Sequence, residues 1–319
     1  MRNILKKIGK VLLAVLLLLI LFLLIVFVYN RIMLAKEEPL LDQPLGTMVE
    51  VDGHNMCVYT EGEGDHTIVF LSGSGTASPI LDFKSLYSLL SDEYRIVVIE
   101  KFGYGFSDVV DTERSFNTIL RQDREALSKL QIEGPYILCP HSMSGLESIM
   151  WAQQYPEEVE AIVGLDMALP RFYDSFDFEG TLRYEKLGAF AREAGIIRFY
   201  YGDGSLPPAL SKEDKALYRA IACKIAVNPV IINETLAVPD ACKEIDSMPQ
   251  PDLPMLMYVS DGKVNGGKNW VEVEKDYAAD HLNAELIELD CSHYVHDFEY
   301  ERIAADMKEF ISTKVETQK

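Results

Sequence analysis

Positive charge is scarce in this chain and unevenly placed. The 319 residues hold 30 Lys and Arg against 50 Asp and Glu, a net charge of −20. Six basic residues (Arg2, Lys6, Lys7, Lys10, Arg31 and Lys36) fall within the first 36 positions, which contain no acid. Residues 37–319 therefore carry 24 basic and 50 acidic side chains, a net of −26. Such a surface repels phosphate backbones, which argues against nucleic acid as a partner. Cysteine is sparse too: Cys57, Cys139, Cys223, Cys242 and Cys291 are odd in number and contain no C-x-x-C, so neither a disulfide framework nor a zinc site is expected. There is no internal repeat, and no low-complexity stretch after residue 36. With 48% apolar and 25% charged residues, the chain is neither fibrous nor broadly disordered. Its length suits one large α/β domain or two modest ones.

One long hydrophobic run is present. Val11–Tyr29 is an unbroken stretch of 19 apolar residues. At about 1.5 Å per residue it covers roughly 28 Å, close to the hydrocarbon thickness of a bilayer. A cleaved secretory signal has a shorter apolar stretch ending in small residues, whereas Tyr29-Asn30-Arg31-Ile32-Met33-Leu34 offers no such cleavage site. Residues 1–36 are therefore expected to be an uncleaved anchor with a transmembrane helix at 11–29. Four basic residues precede the run, and two come after it beside Glu37 and Glu38. That bias places the N-terminus in the cytoplasm and residues 37–319 outside.

The remainder alternates buried strands with amphipathic helices. Strands are expected at 47–52, 55–60, 67–72, 95–100, 135–140, 160–166, 254–260 and 284–290. The first two are joined by the turn Asp52-Gly53-His54. Helices are expected at 80–91, 117–130, 144–155, 269–280 and 299–313. This order predicts a mostly parallel sheet with helices on both faces. Between Leu169 and Pro254 the rhythm breaks into helical patches near 181–194, 211–226 and 229–237. The segment 170–250 is read as a helical cap over the C-terminal edge of the sheet, where ligands bind in open α/β folds. The core then comprises 37–169 and 251–319.

The chemistry centres on Pro140-His141-Ser142-Met143-Ser144-Gly145, which lies between a buried strand and a helix. A serine on that sharp turn presents its hydroxyl over the sheet beside free helix N–H groups. Ser144 supplies a small residue two positions on; Pro140 stands where glycine is usual and removes a ladder N–H, which only strand ends or bulges tolerate. Taken alone, the hexamer reads equally as an ordinary strand-to-helix turn. Leu71-Ser72-Gly73-Ser74-Gly75 comes after an earlier strand, at the place where an oxyanion meets a backbone donor. The N–H groups of Ser74 and Met143 are the candidate oxyanion hole. After the last strand comes Asp290-Cys291-Ser292-His293-Tyr294-Val295-His296-Asp297. His293 is the candidate base, and His296, three residues on, is expected to turn away. Gly73-Ser74-Gly75-Thr76-Ala77-Ser78 loosely mimics a dinucleotide fingerprint, but it lacks the third glycine and runs straight into Pro79.

Together these motifs resemble the α/β-hydrolase-fold superfamily, in its large esterase and aminopeptidase-like group with a cap, from about Val49 to Ile311. The family pattern has His-Gly at the oxyanion loop, Asp-x-x-Gly-x-Gly-x-Ser after the next strand, and Gly-x-Ser-x-Gly at the elbow. Here Ser72-Gly73, Glu100-Lys-Phe-Gly-Tyr-Gly-Phe-Ser107, and Pro140 with Ser144 stand in those places. The resemblance implies a serine hydrolase acting on an ester, amide or thioester, with no cofactor and no metal. Serine in place of an aspartate nucleophile argues against dehalogenase and epoxide-hydrolase chemistry. The triad acid has two candidates. The family acid often comes after the strand that succeeds the cap; the pattern laid on Pro254–Ser260 reaches Lys263, with Asp261 two residues early. Some relatives place the acid at the end of the strand after the elbow helix, which here is Asp166, and Asp166 is preferred. The alternative reading is a catalytically inactive, surface-anchored binding protein on the same fold. A lyase or acyltransferase using the same triad is not separable at this level.

Overall fold

The structure, a computed structural model, describes residues 2–112, 114–263 and 268–316. The N-terminal helix α1 runs from Arg2 to Glu37 and is long and apolar enough to cross a membrane. It extends beyond both ends of the apolar run, because the flanking Lys and Arg side chains are themselves good helix formers.

Strands β1 (Thr47–Val51) and β2 (His54–Glu61) form an antiparallel hairpin. Its turn residues Asp52 and Gly53 both have positive φ, 52° and 79°, the backbone that an Asp-Gly pair supplies at least cost. Then come β3 (Thr67–Leu71), α2 (Pro79–Asp82), α3 (Lys84–Tyr87), β4 (Arg95–Glu100), α4 (Phe116–Lys129), β5 (Tyr136–Ser142), α5 (Ser144–Gln154) and β6 (Val159–Met167). The single helix expected over 80–91 is broken at Phe83, which takes φ −82° and ψ −2°. Its ring is fully buried against Phe70 and His296, so packing outranks helix continuity there. Helix α4 starts where the Ser115 hydroxyl accepts the Thr118 N–H at 3.1 Å.

Between β6 and β7 lie helices α6 (Phe178–Glu193), α7 (Lys212–Ile225) and α8 (Pro229–Asp246). Each has a side-chain N-cap, from Asp177, Ser211 and Asn228 respectively. The expectation that the last patch ends near 237, before Pro239, is corrected: α8 continues through Pro239 to Asp246. Val238, Ala241 and Ile245 are buried against the main core, and this packing outweighs the lost helix hydrogen bond. The chain then returns through β7 (Met255–Val259), α9 (Lys268–Asp280), β8 (Ala284–Glu288), α10 (Val295–Phe298) and α11 (Tyr300–Phe310).

The eight strands form one sheet in the order β1-β2-β4-β3-β5-β6-β7-β8. The β1–β2 and β2–β4 pairs are antiparallel and all others parallel. Two large apolar clusters cover its faces, one around Val69, Leu138 and Trp151, the other around Phe70, Ile137 and Tyr258. Since successive side chains of a strand point to opposite faces, β3 and β5 read as continuous apolar runs because both faces are covered.

Candidate active site

The C-terminal ends of β3, β5 and β6 converge at one edge of the sheet. Ser142 closes β5 with φ +53°, and Asp166, near the end of β6, has φ +50°. Both are non-glycine residues in the left-handed region, which costs on the order of 1–3 kcal/mol each and persists only where the surroundings enforce it. The enforcement at Ser142 is visible. A β-bulge separates His141 from Ser142 in the pairing with β6. Ser144 Oγ donates to the Leu71 carbonyl at 2.6 Å and accepts the His141 N–H at 3.0 Å. This hydroxyl ties β5 to β3 beside Pro140, which faces Leu71 in the register and brings no N–H of its own. Gly73 is the tightest neighbour: a Cβ there would stand 2.6 Å from Ser142 Cβ. Gly145 does the same for the turn's far side, where a Cβ would meet the Ala168 carbonyl oxygen at 2.4 Å.

His293 lies in the loop after β8, mostly buried, with its Nδ1 2.6 Å from Asp166 Oδ2. The other carboxylate oxygen of Asp166 accepts the Ser260 N–H at 2.7 Å and the Trp270 indole N–H at 2.8 Å. A fully buried carboxylate is thus satisfied on both oxygens and fixed in direction. The bond through Nδ1 leaves Nε2 as the ring nitrogen facing away from the acid. Asp261 is engaged in its own turn, accepting the Lys263 N–H at 3.0 Å and the Lys263 ammonium at 2.7 Å. Of the two acid candidates, Asp166 is the one at hydrogen-bond distance from His293.

Ser142, Met143 and Ser74 line one cavity of about 540 Å³, together with Trp270. The inserted segment adds the aromatic side chains Phe172, Tyr173, Phe176 and Phe178, and polar ones including Asp177 and Glu185. The ring of His141, the residue before Ser142, packs 4.5 Å from that of His293 and places its Nε2 3.2 Å from the His293 carbonyl. A carbonyl only accepts, so Nε2 is the protonated nitrogen. Burial, and then the neighbouring His293 and His296, hold the His141 pKa well below its ordinary value and keep the ring neutral.

His296 departs from the expectation that it turns away. It is fully buried, its ring 4.8 Å from His141, and its Nε2 is 2.9 Å from Asp82 Oδ2. It lies in the helical turn Val295–Phe298, whose residues Val295, His296 and Asp297 are all buried. Burial opposes its charge, but the hydrogen bond and negative charge of Asp82 outweigh burial and raise its pKa. Asp82, His141 and His296 each place one ligand atom within 4.8 Å of the others, the one described group that could approach a metal ion. The hydrogen bond between His296 and Asp82 already occupies the space between two of those three.

Several contributors carry no sequence signal. Trp270 and Ser260 are recognisable only through their bonds to Asp166. Below the Ser72–Gly75 loop, the buried ammonium of Lys101 reaches Glu147 Oε2 at 2.9 Å and the Ser72 carbonyl at 3.2 Å. Arg114 pairs with Glu234 on α8 at 3.1 Å, and the Tyr104 hydroxyl donates to the same carboxylate at 2.5 Å. Through Glu234, Arg114 and Tyr104 bind the inserted segment to the core.

No family model matches the chain. The Bacillus subtilis protein YbdG is 37% identical over 298 residues, covering 90% of this chain and 91% of YbdG. The 2-(acetamidomethylene)succinate hydrolase of Mesorhizobium japonicum is 26% identical over 125 residues, 39% of this chain and 44% of that enzyme. Among solved structures, a putative epoxide hydrolase from Pseudomonas aeruginosa superposes with a TM-score of 0.66 at 16% identity, covering 84% of this chain and 95% of that one. A haloalkane dehalogenase loop variant from Bradyrhizobium elkanii gives 0.60 at 16% identity, with 83% and 95% covered. The chain belongs to one family with YbdG, and it shares the α/β-hydrolase fold of these solved structures.

Proposed function

We propose that the chain is a membrane-anchored serine hydrolase acting on esters, amides or thioesters. The observation that carries this is the His293–Asp166 hydrogen bond beside a strained Ser142 that opens into a cavity shared with Ser74 and Met143. In the proposed reaction Ser142 Oγ attacks the substrate carbonyl carbon and His293 Nε2 takes its proton. The N–H groups of Ser74 and Met143 hold the oxyanion, and His293 returns the proton to the leaving group as the acyl bond breaks. Water then releases the acyl group by the reverse proton path, so an ester and water give an acid and an alcohol. Asp166 holds the imidazole in the tautomer with Nε2 free. The name of the Mesorhizobium relative supports hydrolysis as the reaction class. Serine at the elbow sets this chemistry apart from the names of its structural neighbours. The segment 170–250 is a cap that gates the cavity, and α1 anchors the protein with its N-terminus in the cytoplasm.

The test is labelling of the full-length protein with a fluorophosphonate, and then a panel of esters of increasing chain length. Ser142 is expected to be the one labelled serine, and Ser142→Ala to lower turnover by about three to six orders of magnitude while the protein stays folded. A wild type inert to the probe and to every ester would leave the binding-protein reading in its place.

A further inference from the structure

The cap carries an exposed apolar face that its own fold does not cover. Tyr184, Leu187 and Phe190 recur along α6 at helical spacing, and Phe199 and Tyr200 come in the next turn. All five are 57–77% exposed. Arg183 and Lys186 flank them on α6, also exposed. Aromatic and aliphatic side chains edged by basic ones are the composition of a helix that lies in a membrane interface.

The position of this face is set by α1. Arg198, within the turn Ile196–Phe199, donates to Asn30 Oδ1 at 2.5 Å and pairs with both carboxylate oxygens of Glu37 at 2.9 and 2.7 Å. It thereby straps two successive turns of α1. Asn30 is 1% exposed beneath this contact. Gly195 presses closer still: a Cβ there would stand 2.4 Å from Asn30 Cβ and 3.1 Å from the Val26 carbonyl oxygen. Val26 lies inside the apolar run, about one helical turn short of its end. The cap therefore touches α1 at a depth that belongs to the hydrocarbon boundary, and Phe199 and Tyr200 adjoin that contact.

A second cavity, about 680 Å³, lies under the same face. Tyr184, Leu187, Ile197 and Tyr200 line it, and Ser74 and Glu185 line both this cavity and the one holding Ser142. We propose that the face formed by Tyr184, Leu187, Phe190, Phe199 and Tyr200 seats in the bilayer that α1 spans. The cavity beneath it then passes long-chain lipid esters from that bilayer to Ser142. The docking stands on the geometry of α1 and the cap, while the substrate class rests on the hydrolase reading above.

The test uses the full-length chain reconstituted in phosphatidylcholine vesicles. Trp151 and Trp270 are buried and give a constant background. Phe190→Trp should be quenched by phosphatidylcholine brominated on its acyl chains. Leu282→Trp should not be, because Leu282 precedes β8 and so lies at the end of the parallel strands away from Ser142. An unquenched Phe190→Trp overturns the docking. The double variant Phe190→Asp, Phe199→Asp, whose residues line neither cavity, should hydrolyse para-nitrophenyl palmitate held in the vesicles about tenfold more slowly, the loss of one or two buried apolar side chains. Its turnover of para-nitrophenyl acetate in water should be unchanged; equal loss on both esters overturns the lateral route. A wild type that hydrolyses neither ester removes the hydrolase reading and the substrate class with it, and the quenching still decides the docking.

Discussion

His293 and Asp166 meet at 2.6 Å across 127 residues of chain, joining the loop after the last strand to the end of β6. Of the two aspartates the sequence offers, the preferred Asp166 is the one that reaches His293, while Asp261 bonds within its own turn. Asp166→Asn keeps the shape and permits the wrong imidazole tautomer, so turnover should fall by about three to four orders of magnitude. Asp261→Asn, which disturbs only its own turn with Lys263, should stay close to the parent. Steady-state kinetics on a short-chain ester separates the two, and a large loss in Asp261→Asn alone would exchange their roles.

Gly73 approaches Ser142 too closely for any side chain. In Gly73→Ala the new Cβ would stand 2.6 Å from Ser142 Cβ, so the elbow or the loop must shift. A misplacement approaching 1 Å at the reacting atoms costs on the order of 100-fold. The second-order rate of fluorophosphonate labelling reads this directly, and a rate equal to the parent's would show that the loop yields without moving the serine.

Glu100 ends β4 fully buried, its carboxylate accepting the Phe106 N–H at 2.7 Å. Burial pushes its pKa up from 4.5 to about 7. The unfolded chain thus releases this proton near pH 4.5, while the folded chain holds it until about pH 7. Folding stability contributed by this group is highest in acid, falls as pH rises through that window, and is flat above it. The loss amounts to about 3 kcal/mol at most. Urea unfolding in detergent micelles at a series of pH values should show the slope in wild type and its removal in Glu100→Gln. Equal slopes in the two proteins would assign the dependence to other groups.

Lys101 and Glu147 form an ion pair in the interior, the side chains 1% and 0% exposed. Lys101→Met leaves the Glu147 carboxylate buried without its cation and should cost about 3–5 kcal/mol. Adding Glu147→Gln should restore much of that stability. The same ammonium holds the Ser72 carbonyl at 3.2 Å, so the single variant should also slow fluorophosphonate labelling. An unfolding midpoint unmoved by Lys101→Met would mean the pair contributes nothing net.

The proposed topology is open to protease shaving. Treatment of intact cells should remove the domain beyond residue 37 while a cytosolic marker survives. A domain digested only after lysis would reverse the orientation.

How far the sequence reaches is clearest element by element. The strand β3 and the helix α4 are legible because burial on two faces gives an unbroken apolar run and burial on one face gives helical periodicity. The broken helix at Phe83 and the passage of α8 through Pro239 are not, because in both places packing against distant residues overrides a local rule. Pro140 reads as a defect in the elbow; the hydroxyl of Ser144 on Leu71 shows how the strand end is held without it.

The sequence by itself determined the apolar span, the acidic character of residues 37–319, the α/β rhythm, and Ser142 on its strand-to-helix turn. Each of these is written in neighbouring residues, through hydrophobic period, net charge or the small residues of a turn. Tertiary structure alone decided which aspartate faces His293, that His296 turns inward to Asp82, that Trp270 and Ser260 hold Asp166, and that Arg198 binds the inserted segment to α1. Those relationships join residues far apart in the chain, and their geometry is set by how the sheet and the inserted helices pack, which no local pattern encodes.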